Sequence, residues 1–265
     1  MAAAKQENDM SIREKIRNGQ IVAGTMVRVI RSPVLAYLAK ESGLDFVMFD
    51  CEHSDYNMET IRDTSITFRA LGISTMARVP NLSKDYVSRM LDSGVEGIMV
   101  PFIENAGQVR ELVKYAKYSP LGNRGFSAVG PHTDYRGGKH REIMENANAN
   151  VMAIAQIETK SAVDNIEEIA AVEGLDALLI GPNDLSIALG VPGDLANPIL
   201  LDAIAAVADA ARRNSKLFTI HAGSNLLDRF AESMSFIMQG TDFDCIVSGF
   251  KAIRSYSDAT LGKQH

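Results

Sequence analysis

The sequence predicts a single (β/α)₈ barrel of the TIM-barrel type, and three observations support that fold. Short apolar runs alternate with longer amphipathic segments along the whole chain of 265 residues. Most of these runs are uninterrupted, which is typical of strands buried on both faces of a parallel sheet. There are eight such runs, the number that closes a parallel barrel, and chains of about 250 residues commonly form one undivided barrel.

The predicted strands are short, apolar and separated by helix-length segments. They cover Ile21–Val27, Phe46–Asp50, Ser74–Val79, Gly97–Pro101, Val151–Ile157, Ala177–Ile180, Leu217–Ile220 and Phe236–Met238. The clearest predicted helices are Met58–Ala70, Lys84–Ser93, Ala106–Tyr115 and the alanine-rich Leu201–Arg213. This alternation implies right-handed βαβ units. No linker divides the chain, so we expect one domain over residues 1–265, with residues 1–10 disordered.

Two segments interrupt the regular alternation. Tyr118–Lys139 contains Pro and several Gly with little periodicity, so it is predicted to be a long loop after the fourth strand and helix. Asn183–Asn197 contains Gly190, Pro192 and Gly193, which predicts a short helix and a turn before the next long helix.

Composition argues against several classes of function. A formal net charge of −6 and a pI near 5.4 are unlike nucleic-acid binding, which requires concentrated Lys and Arg. No apolar stretch reaches the roughly 18 residues of a membrane span, and the start lacks the apolar core of a signal peptide. The two cysteines, Cys51 and Cys245, do not form a disulfide framework. We therefore expect a cytoplasmic protein that binds neither nucleic acid nor membranes.

Reactive side chains follow several of the predicted strands, which is where such barrels carry their active sites. They are Asp50–His53 after the second strand, Arg78 in the third, Gln156–Glu158 after the fifth, Asn183–Asp184 after the sixth and His221 after the seventh. Because the carboxyl ends of parallel strands meet at one face of the barrel, we expect these side chains to lie close together.

Glu158 and Asp184 follow neighbouring strands and are candidate metal ligands. Carboxylate oxygens suit Mg²⁺ or Mn²⁺, and two carboxylates leave positions for water and a chelating 2-keto acid. Two alternatives stay open at this point. Asp184 could cap a helix while Glu158 pairs with a surface lysine, or the two carboxylates could form a general acid–base pair.

His53 and Arg78 are the other candidates for catalysis. His53 can transfer protons near neutral pH, and a neighbouring carboxylate would orient it, although a lone histidine in a loop is often structural. Arg78 ends an apolar strand and therefore needs an anion, either a substrate oxygen or a structural partner such as Asp50 or Asp92. No lysine ends a predicted strand, which disfavours a Schiff-base aldolase.

At these positions the sequence resembles the HpcH/HpaI aldolase family, which includes 4-hydroxy-2-oxoheptanedioate aldolase and 2-dehydro-3-deoxyglucarate aldolase. The resemblance runs over nearly the whole chain. It is carried by five blocks in order, FDCEH at Phe49–His53, LDSGVEGIMVP at Leu91–Pro101, SPLGNRG at Ser119–Gly125, QIET at Gln156–Thr159 and GPNDLSIALGVPG at Gly181–Gly193.

The resemblance implies a role for each candidate residue. Glu158 and Asp184 would bind the metal, while Gln156 and the backbone at Asn183 would hold the substrate beside it. His53 would accept the proton and Arg78 would stabilise the transition state. Asp92 would raise the basicity of the histidine, and Asp50 would belong to the same hydrogen-bonded cluster. The segment Phe126–Lys139 is expected where an aldehyde acceptor approaches.

The implied activity is that of a class II metal-dependent pyruvate aldolase. It would cleave a 4-hydroxy-2-keto acid reversibly to pyruvate and an aldehyde through a metal-bound enolate. The expected ion is Mg²⁺ or Mn²⁺, with Co²⁺ as a further candidate, and no organic cofactor is expected. The resemblance also implies a homo-oligomer, a hexamer or trimer, with active sites near subunit interfaces and the C-terminal helix docked on a neighbour.

Other functions stay open. An oxaloacetate decarboxylase, a macrophomate-synthase-like catalyst or another enolate-forming lyase of the same superfamily would use the same residues. A related lyase acting on acyl-CoA esters is disfavoured, since no basic cluster suits the CoA phosphates. A non-catalytic barrel that binds metabolites is the alternative of a different class.

Overall fold

Eight parallel strands close a barrel in the computed structural model, which describes residues 10–262. Each strand hydrogen-bonds to the next along the chain, and the last returns to the first. The predicted (β/α)₈ barrel is therefore confirmed; of the stretch 1–10 expected to be disordered, residues 1–9 lie outside the described residues. The strands are β1 Ala23–Val27, β2 Phe46–Asp50, β3 Ser74–Arg78, β4 Gly97–Val100, β5 Met152–Ile157, β6 Ala177–Ile180, β7 Leu217–Ala222 and β8 Ile237–Thr241.

Helices connect the strands and cover the outside of the barrel. Several begin at side-chain caps where the sequence supplies Asn or Ser, for example Asn57, whose Oδ1 accepts the Thr60 N–H at 2.8 Å. The helices are α1 Ile12–Arg17, α2 Leu35–Glu41, α3 Met58–Ala70, α4 Lys84–Asp92, α5 Ala106–Ala116, α6 His140–Asn150, α7 Lys160–Asp164, α8 Ile166–Ala170, α9 Pro182–Ala188, α10 Pro198–Arg213, α11 Ser224–Arg229 and α12 Asp242–Leu261. Among residues 10–262, no helix is long and apolar enough to cross a membrane.

Side-chain alternation along the strands determines which residues face the barrel interior. The interior is filled by one apolar cluster that contains Phe46 and Met48 of β2, Met76 of β3, and Met152 and Ile154 of β5. Successive strand residues point to opposite faces, so the positions two residues further along point inward as well. These next inward positions are Asp50, Arg78 and Gln156, followed by Glu158.

Strand β8 extends three residues beyond its predicted end at Met238. The apolar run stops at Met238, but the strand continues to Thr241, which pairs with Met26 of β1. Thr25 supports this extension because its hydroxyl donates to the carbonyl of Gln239 at 2.8 Å. Backbone pairing, rather than side-chain hydrophobicity, decides where this strand ends.

The two irregular segments have the predicted character. Between α5 and α6 the chain has no strand and only a short 3₁₀ turn, Pro131–Thr133. After β6 the seven-residue helix α9 is followed by turns at Gly190 and Gly193, both with positive φ, before α10 begins. The first segment connects α5 to α6, which leads into β5, and in a barrel the connections that lead into a strand lie at the amino end of the strands.

Candidate active site

A buried ion pair lies at the carboxyl end of β2 and β3. Asp50 and Arg78 occupy paired positions on these neighbouring strands. The guanidinium donates twice, from Nε to Asp50 Oδ1 at 3.0 Å and from Nη2 to Oδ2 at 2.8 Å. Asp50 is fully buried, and although burial raises its pKa, the hydrogen bonds and charge of Arg78 hold that pKa below its ordinary value. Arg28, just after β1, adds a third contact at 3.1 Å to Oδ2.

Asp50 also fixes the turn that carries the next two polar residues. Its Oδ1 accepts the backbone N–H groups of Glu52 at 3.2 Å and His53 at 3.1 Å. The Glu52 side chain then returns to Arg78, with Oε2 3.1 Å from Nη1. The same oxygen lies 3.8 Å from His53 Nε2. Positive and negative side chains therefore alternate along a row of contacts: Arg28, Asp50, Arg78 and Glu52. The half-exposed imidazole of His53 lies at the end of this row.

A second acidic group follows β5. Glu158 is 1% exposed; its Oε1 accepts the Phe102 N–H at 2.8 Å, and its Oε2 accepts from Gln156 Nε2 at 2.5 Å. Burial raises the pKa of Glu158 to about 7; the Phe102 N–H opposes this shift, while the charges of Asp184 and Glu52 reinforce it. Phe102 has the left-handed φ of 52°, an uncommon conformation for a residue with a side chain.

The β6 end brings Asp184 towards this carboxylate. Gly181 directly follows β6, and a Cβ there would lie 2.6 Å from Glu158 Oε2 and 2.7 Å from Gln156 Nε2. A larger residue would therefore displace the ends of these two side chains, and Pro182 then begins α9. Asn183 and Asp184 lie in the first turn of this helix, the former exposed and the latter half-buried.

The chemistry of this second group suits a hard divalent cation. The raised pKa of Glu158 reflects a buried carboxylate surrounded by other negative charges, which a cation would neutralise. Gln156 Oε1 is buried without a hydrogen-bond partner in the described part of the chain. Within residues 10–262, no three His, Cys, Asp or Glu side chains converge as a metal site. As two carboxylate ligands, Glu158 and Asp184 would leave positions for water and substrate, as Mg²⁺ prefers.

Asp92 is the predicted site residue that the fold does not bring to this end of the barrel. It ends α4, which runs back towards the amino end of the strands, and its Oδ1 pairs with Arg124 at 2.6 Å. Its carbonyl lies 3.4 Å from the ring of His132, in the connection between α5 and α6. Asp92 therefore does not act on His53 of its own chain.

For the same topological reason, Phe126–Lys139 lies within the chain at the amino end of the barrel, away from the residues at the carboxyl ends of the strands. This segment follows α5, and its neighbourhood is fixed at the amino end, where the Tyr118 N–H donates to Asn148 Oδ1 at 2.7 Å just before β5. Further along, Asp134 pairs with Arg69 at the end of α3. Within one chain, an aldehyde at the opposite end of the barrel does not meet this loop.

The contacts of His221, Cys51 and the methionines indicate structural roles. His221 lies within β7, its Nε2 is 3.0 Å from the Gly240 carbonyl, and burial lowers its pKa. Burial raises the pKa of the Cys51 thiol to about 12, so it stays protonated and packs in the core. The methionines Met26, Met48, Met76, Met99, Met152 and Met238 contribute to the apolar cluster that fills the barrel interior.

Sequence reasoning missed several polar residues of this site. Arg28 follows β1, and the strand-end rule that found the other residues would have found it too. The same rule applied to β8 identifies Asp242, whose carboxylate accepts the N–H groups of Arg28, Val29 and Ile30 at 2.8–3.0 Å. Glu52 lies inside a block quoted for the resemblance, but no sequence pattern shows which way its side chain turns.

Known proteins of one family resemble this chain. Residues 29–247 match the profile described as HpcH/HpaI aldolase/citrate lyase. A 2-dehydro-3,6-dideoxy-6-sulfogluconate aldolase of Pseudomonas putida is 40% identical over 65% of this chain and 66% of its own length. A 4-hydroxy-2-oxovalerate aldolase of Novosphingobium aromaticivorans is 35% identical over 69% of each chain. The crystal structure of an HpcH/HpaI aldolase from Desulfitobacterium hafniense DCB-2 has a TM-score of 0.88 at 30% identity, covering 97% of this chain and 98% of that one.

Proposed function

The chain belongs to the HpcH/HpaI aldolase/citrate lyase family, and we propose that it is a class II pyruvate aldolase acting on a 4-hydroxy-2-keto acid. One observation carries the proposal. At a single end of the barrel, an acidic pair suited to a cation follows β5 and β6, and the Arg78–Glu52–His53 group lies at the ends of β2 and β3. Relatives named as aldolases support the same reaction class.

In this proposal Glu158 and Asp184 bind a divalent metal ion, Mg²⁺ or Mn²⁺. When bound, the ion would supply Lewis acidity, which polarises the 2-keto group and favours cleavage of the C3–C4 bond. Gln156 and the first-turn N–H of Asn183 orient the pyruvate half of the substrate. Gln156 suits this task because its amide nitrogen carries two hydrogens: it donates one to Glu158 Oε2, and the other can be donated to an oxygen of the keto acid.

The remaining residues manage the proton and the charge. His53 removes the proton of the 4-hydroxyl group, and its exposure at the barrel mouth makes it accessible to substrate. The C3–C4 bond then breaks, the aldehyde carbonyl forms, and the electron pair is left on the pyruvate enolate. Arg78, held in place by Asp50, stabilises the developing negative charge on the enolate oxygen. Protonation at C3 completes the release of pyruvate.

The test of this function is a screen for pyruvate release. We expect the enzyme to release pyruvate from 4-hydroxy-2-keto acids in the presence of Mg²⁺, Mn²⁺ or Co²⁺. Dialysis against EDTA should remove at least about 99% of that activity, since Lewis-acid catalysis supplies several kcal/mol, and added metal should restore it. Oxaloacetate assayed in parallel separates an aldolase from a decarboxylase that forms the same enolate. Activity that persists after metal removal would contradict the proposal.

We also propose that the enzyme is a cytoplasmic homo-oligomer assembled through α12. Asp242 is the buried residue of this 20-residue helix, whereas Phe243, Phe250 and Ile253 are more than half exposed on one helical face. Exposed apolar faces of this kind are typical of contacts between subunits. A second copy of the chain is the expected partner, in a hexamer or a trimer.

The oligomer is tested by replacing Phe250 and Ile253 with Ser. We expect the doubly substituted chain to sediment as a smaller species than the wild type in analytical ultracentrifugation. The exposed pair Arg212→Ala and Asp209→Ala on α10 is the control, since it removes surface charge without apolar area. An unchanged sedimentation coefficient in the Phe250/Ile253 variant would argue against assembly through this face.

A further inference from the structure

Among residues 10–262, Glu52 is the carboxylate within ion-pair distance of the His53 imidazole. Its Oε2 lies 3.8 Å from His53 Nε2, which is an ion-pair distance rather than a hydrogen bond. Asp92, the carboxylate expected from the family resemblance to serve the histidine, is at the other end of the barrel. The partner of the proposed base within the chain is therefore two residues from Asp50, in the same turn.

The position of Glu52 is fixed from two sides. Its backbone N–H donates to Asp50, and its side chain pairs with Arg78 Nη1 at 3.1 Å. The Glu52 side chain is 13% exposed, whereas the His53 side chain is 52% exposed. The carboxylate is thus held by the barrel wall, and the more exposed imidazole lies against it.

We infer that Glu52 is a positioning residue that acts through His53. A carboxylate beside Nε2 favours the tautomer that carries its hydrogen on Nε2, which leaves Nδ1 as the nitrogen that accepts the hydroxyl proton. The same negative charge stabilises the imidazolium that forms when the proton arrives. This inference rests on the proposed aldolase function, and it assigns Glu52 to proton transfer rather than to the enolate.

Two reactions that form the same pyruvate enolate distinguish a role of Glu52 in proton transfer from a structural role. Retro-aldol cleavage requires removal of the 4-hydroxyl proton, whereas decarboxylation of oxaloacetate reaches the pyruvate enolate by loss of CO₂ with no such proton to remove. A residue that serves only His53 affects the first reaction. A residue that serves Arg78, the metal or the fold affects both.

The experiment compares Glu52→Gln, Glu52→Asp and Asp55→Asn for both reactions in the presence of Mn²⁺. We expect Glu52→Gln to lower kcat for cleavage by about tenfold or more, because the charge beside His53 is lost. Decarboxylation should stay within about threefold of wild type, because the new amide oxygen can still accept from Arg78 Nη1. Glu52→Asp should recover part of the cleavage rate because it keeps the charge. Asp55→Asn, an exposed acid in the same turn that pairs with Arg31, should leave both rates unchanged.

A double substitution completes the test. If Glu52 acts through His53, then Glu52→Gln in a His53→Ala background should cause little further loss of cleavage. Equal losses in both reactions, an unchanged cleavage rate in Glu52→Gln, or fully multiplicative losses in the double variant would overturn the inference. Failure of the wild type to cleave any 4-hydroxy-2-keto acid would instead refute the proposed function, so the two failures are distinguishable.

Discussion

Glu158→Gln is expected to abolish cleavage while making the metal-free protein more stable above pH 7. The activity should fall by at least about a thousandfold, because the variant loses a carboxylate ligand of the proposed metal ion. The gain in stability has a different origin. Glu158 is buried with a pKa of about 7, well above its ordinary value of 4.5, so ionisation in the folded state is unfavourable.

The pH dependence follows from the direction of that shift. A group whose pKa is raised by folding contributes stability that is fully present below pH 4.5 and is lost as the pH rises through about 7. A difference of this size corresponds to about 3 kcal/mol of unfolding free energy. The amide that replaces the carboxyl group never ionises, so the variant escapes this loss. Denaturation in EDTA at pH 5 and pH 8 measures the effect.

Side-chain geometry favours Gln at this position. The amide oxygen of the new side chain can accept the Phe102 N–H as Glu158 does. Its amide nitrogen can donate to Gln156 Oε1, which has no partner within residues 10–262, if the Gln156 amide rotates by half a turn. Glu168→Gln, an exposed acid on α8, is the matched control and should change neither activity nor stability. Equal stability of the metal-free wild type and the Glu158→Gln variant at pH 8 would contradict the prediction.

Saturating Mn²⁺ provides an independent readout of the same carboxylate. The ion binds the ionised form, so it should stabilise the wild type more at pH 8 than at pH 5. The Glu158→Gln variant should show little such stabilisation. Metal-induced stabilisation of equal size in both proteins would place the cation elsewhere.

The sequence predicts the barrel well because its strands are buried on both faces. A β-strand such as Phe46–Asp50 is apolar at every position until its last residue, and that change to Asp marks the carboxyl end. Because alternate strand residues face the same side, the inward positions can also be predicted. Since Met48 and Ile154 face the interior, Asp50 and Gln156 must do so as well.

Sequence proximity alone does not show which end of the barrel a residue occupies. Asp92 is the last residue of α4 and precedes β4 by only a few residues, so it lies at the amino end of the strands. The other candidate residues lie at the carboxyl end. The loop around Tyr135 also lies at the amino end, because it follows the helix α5. Both positions follow from βαβ topology once the helix bounds are known, whereas the direction of the Glu52 side chain depends on a turn held by Asp50.

Arg78→Lys is expected to lower kcat for cleavage by about a hundredfold or more, with a smaller change in KM. Lysine keeps the positive charge but loses the planar fork that holds Asp50 through Nε and Nη2 while Nη1 meets Glu52. Its charge is then no longer fixed where the enolate oxygen develops, and a preorganised donor at such a place contributes about 3 kcal/mol or more. Arg78→Ala is less informative, because it leaves Asp50 buried without its main partner.

Arg69 provides a matched control at the other end of the barrel. It too is a largely buried fork, joining Glu96 and Asp134 at 2.7 Å each. Arg69→Lys should lower stability to a similar extent as Arg78→Lys without changing kcat. If both substitutions reduced kcat alike, the effect of Arg78 would be one of folding, and its proposed role in charge stabilisation would be wrong.

The two reactions also separate Arg78 from His53. Cleavage and oxaloacetate decarboxylation both place negative charge on the enolate oxygen, so Arg78→Lys should slow both by similar factors. Glu52→Gln, which acts through the histidine, should slow cleavage alone. A large loss of kcat with little change in KM marks an interaction made mainly in the transition state. A rise in KM at constant kcat would instead assign Arg78 to holding the ground-state carboxylate of the keto acid.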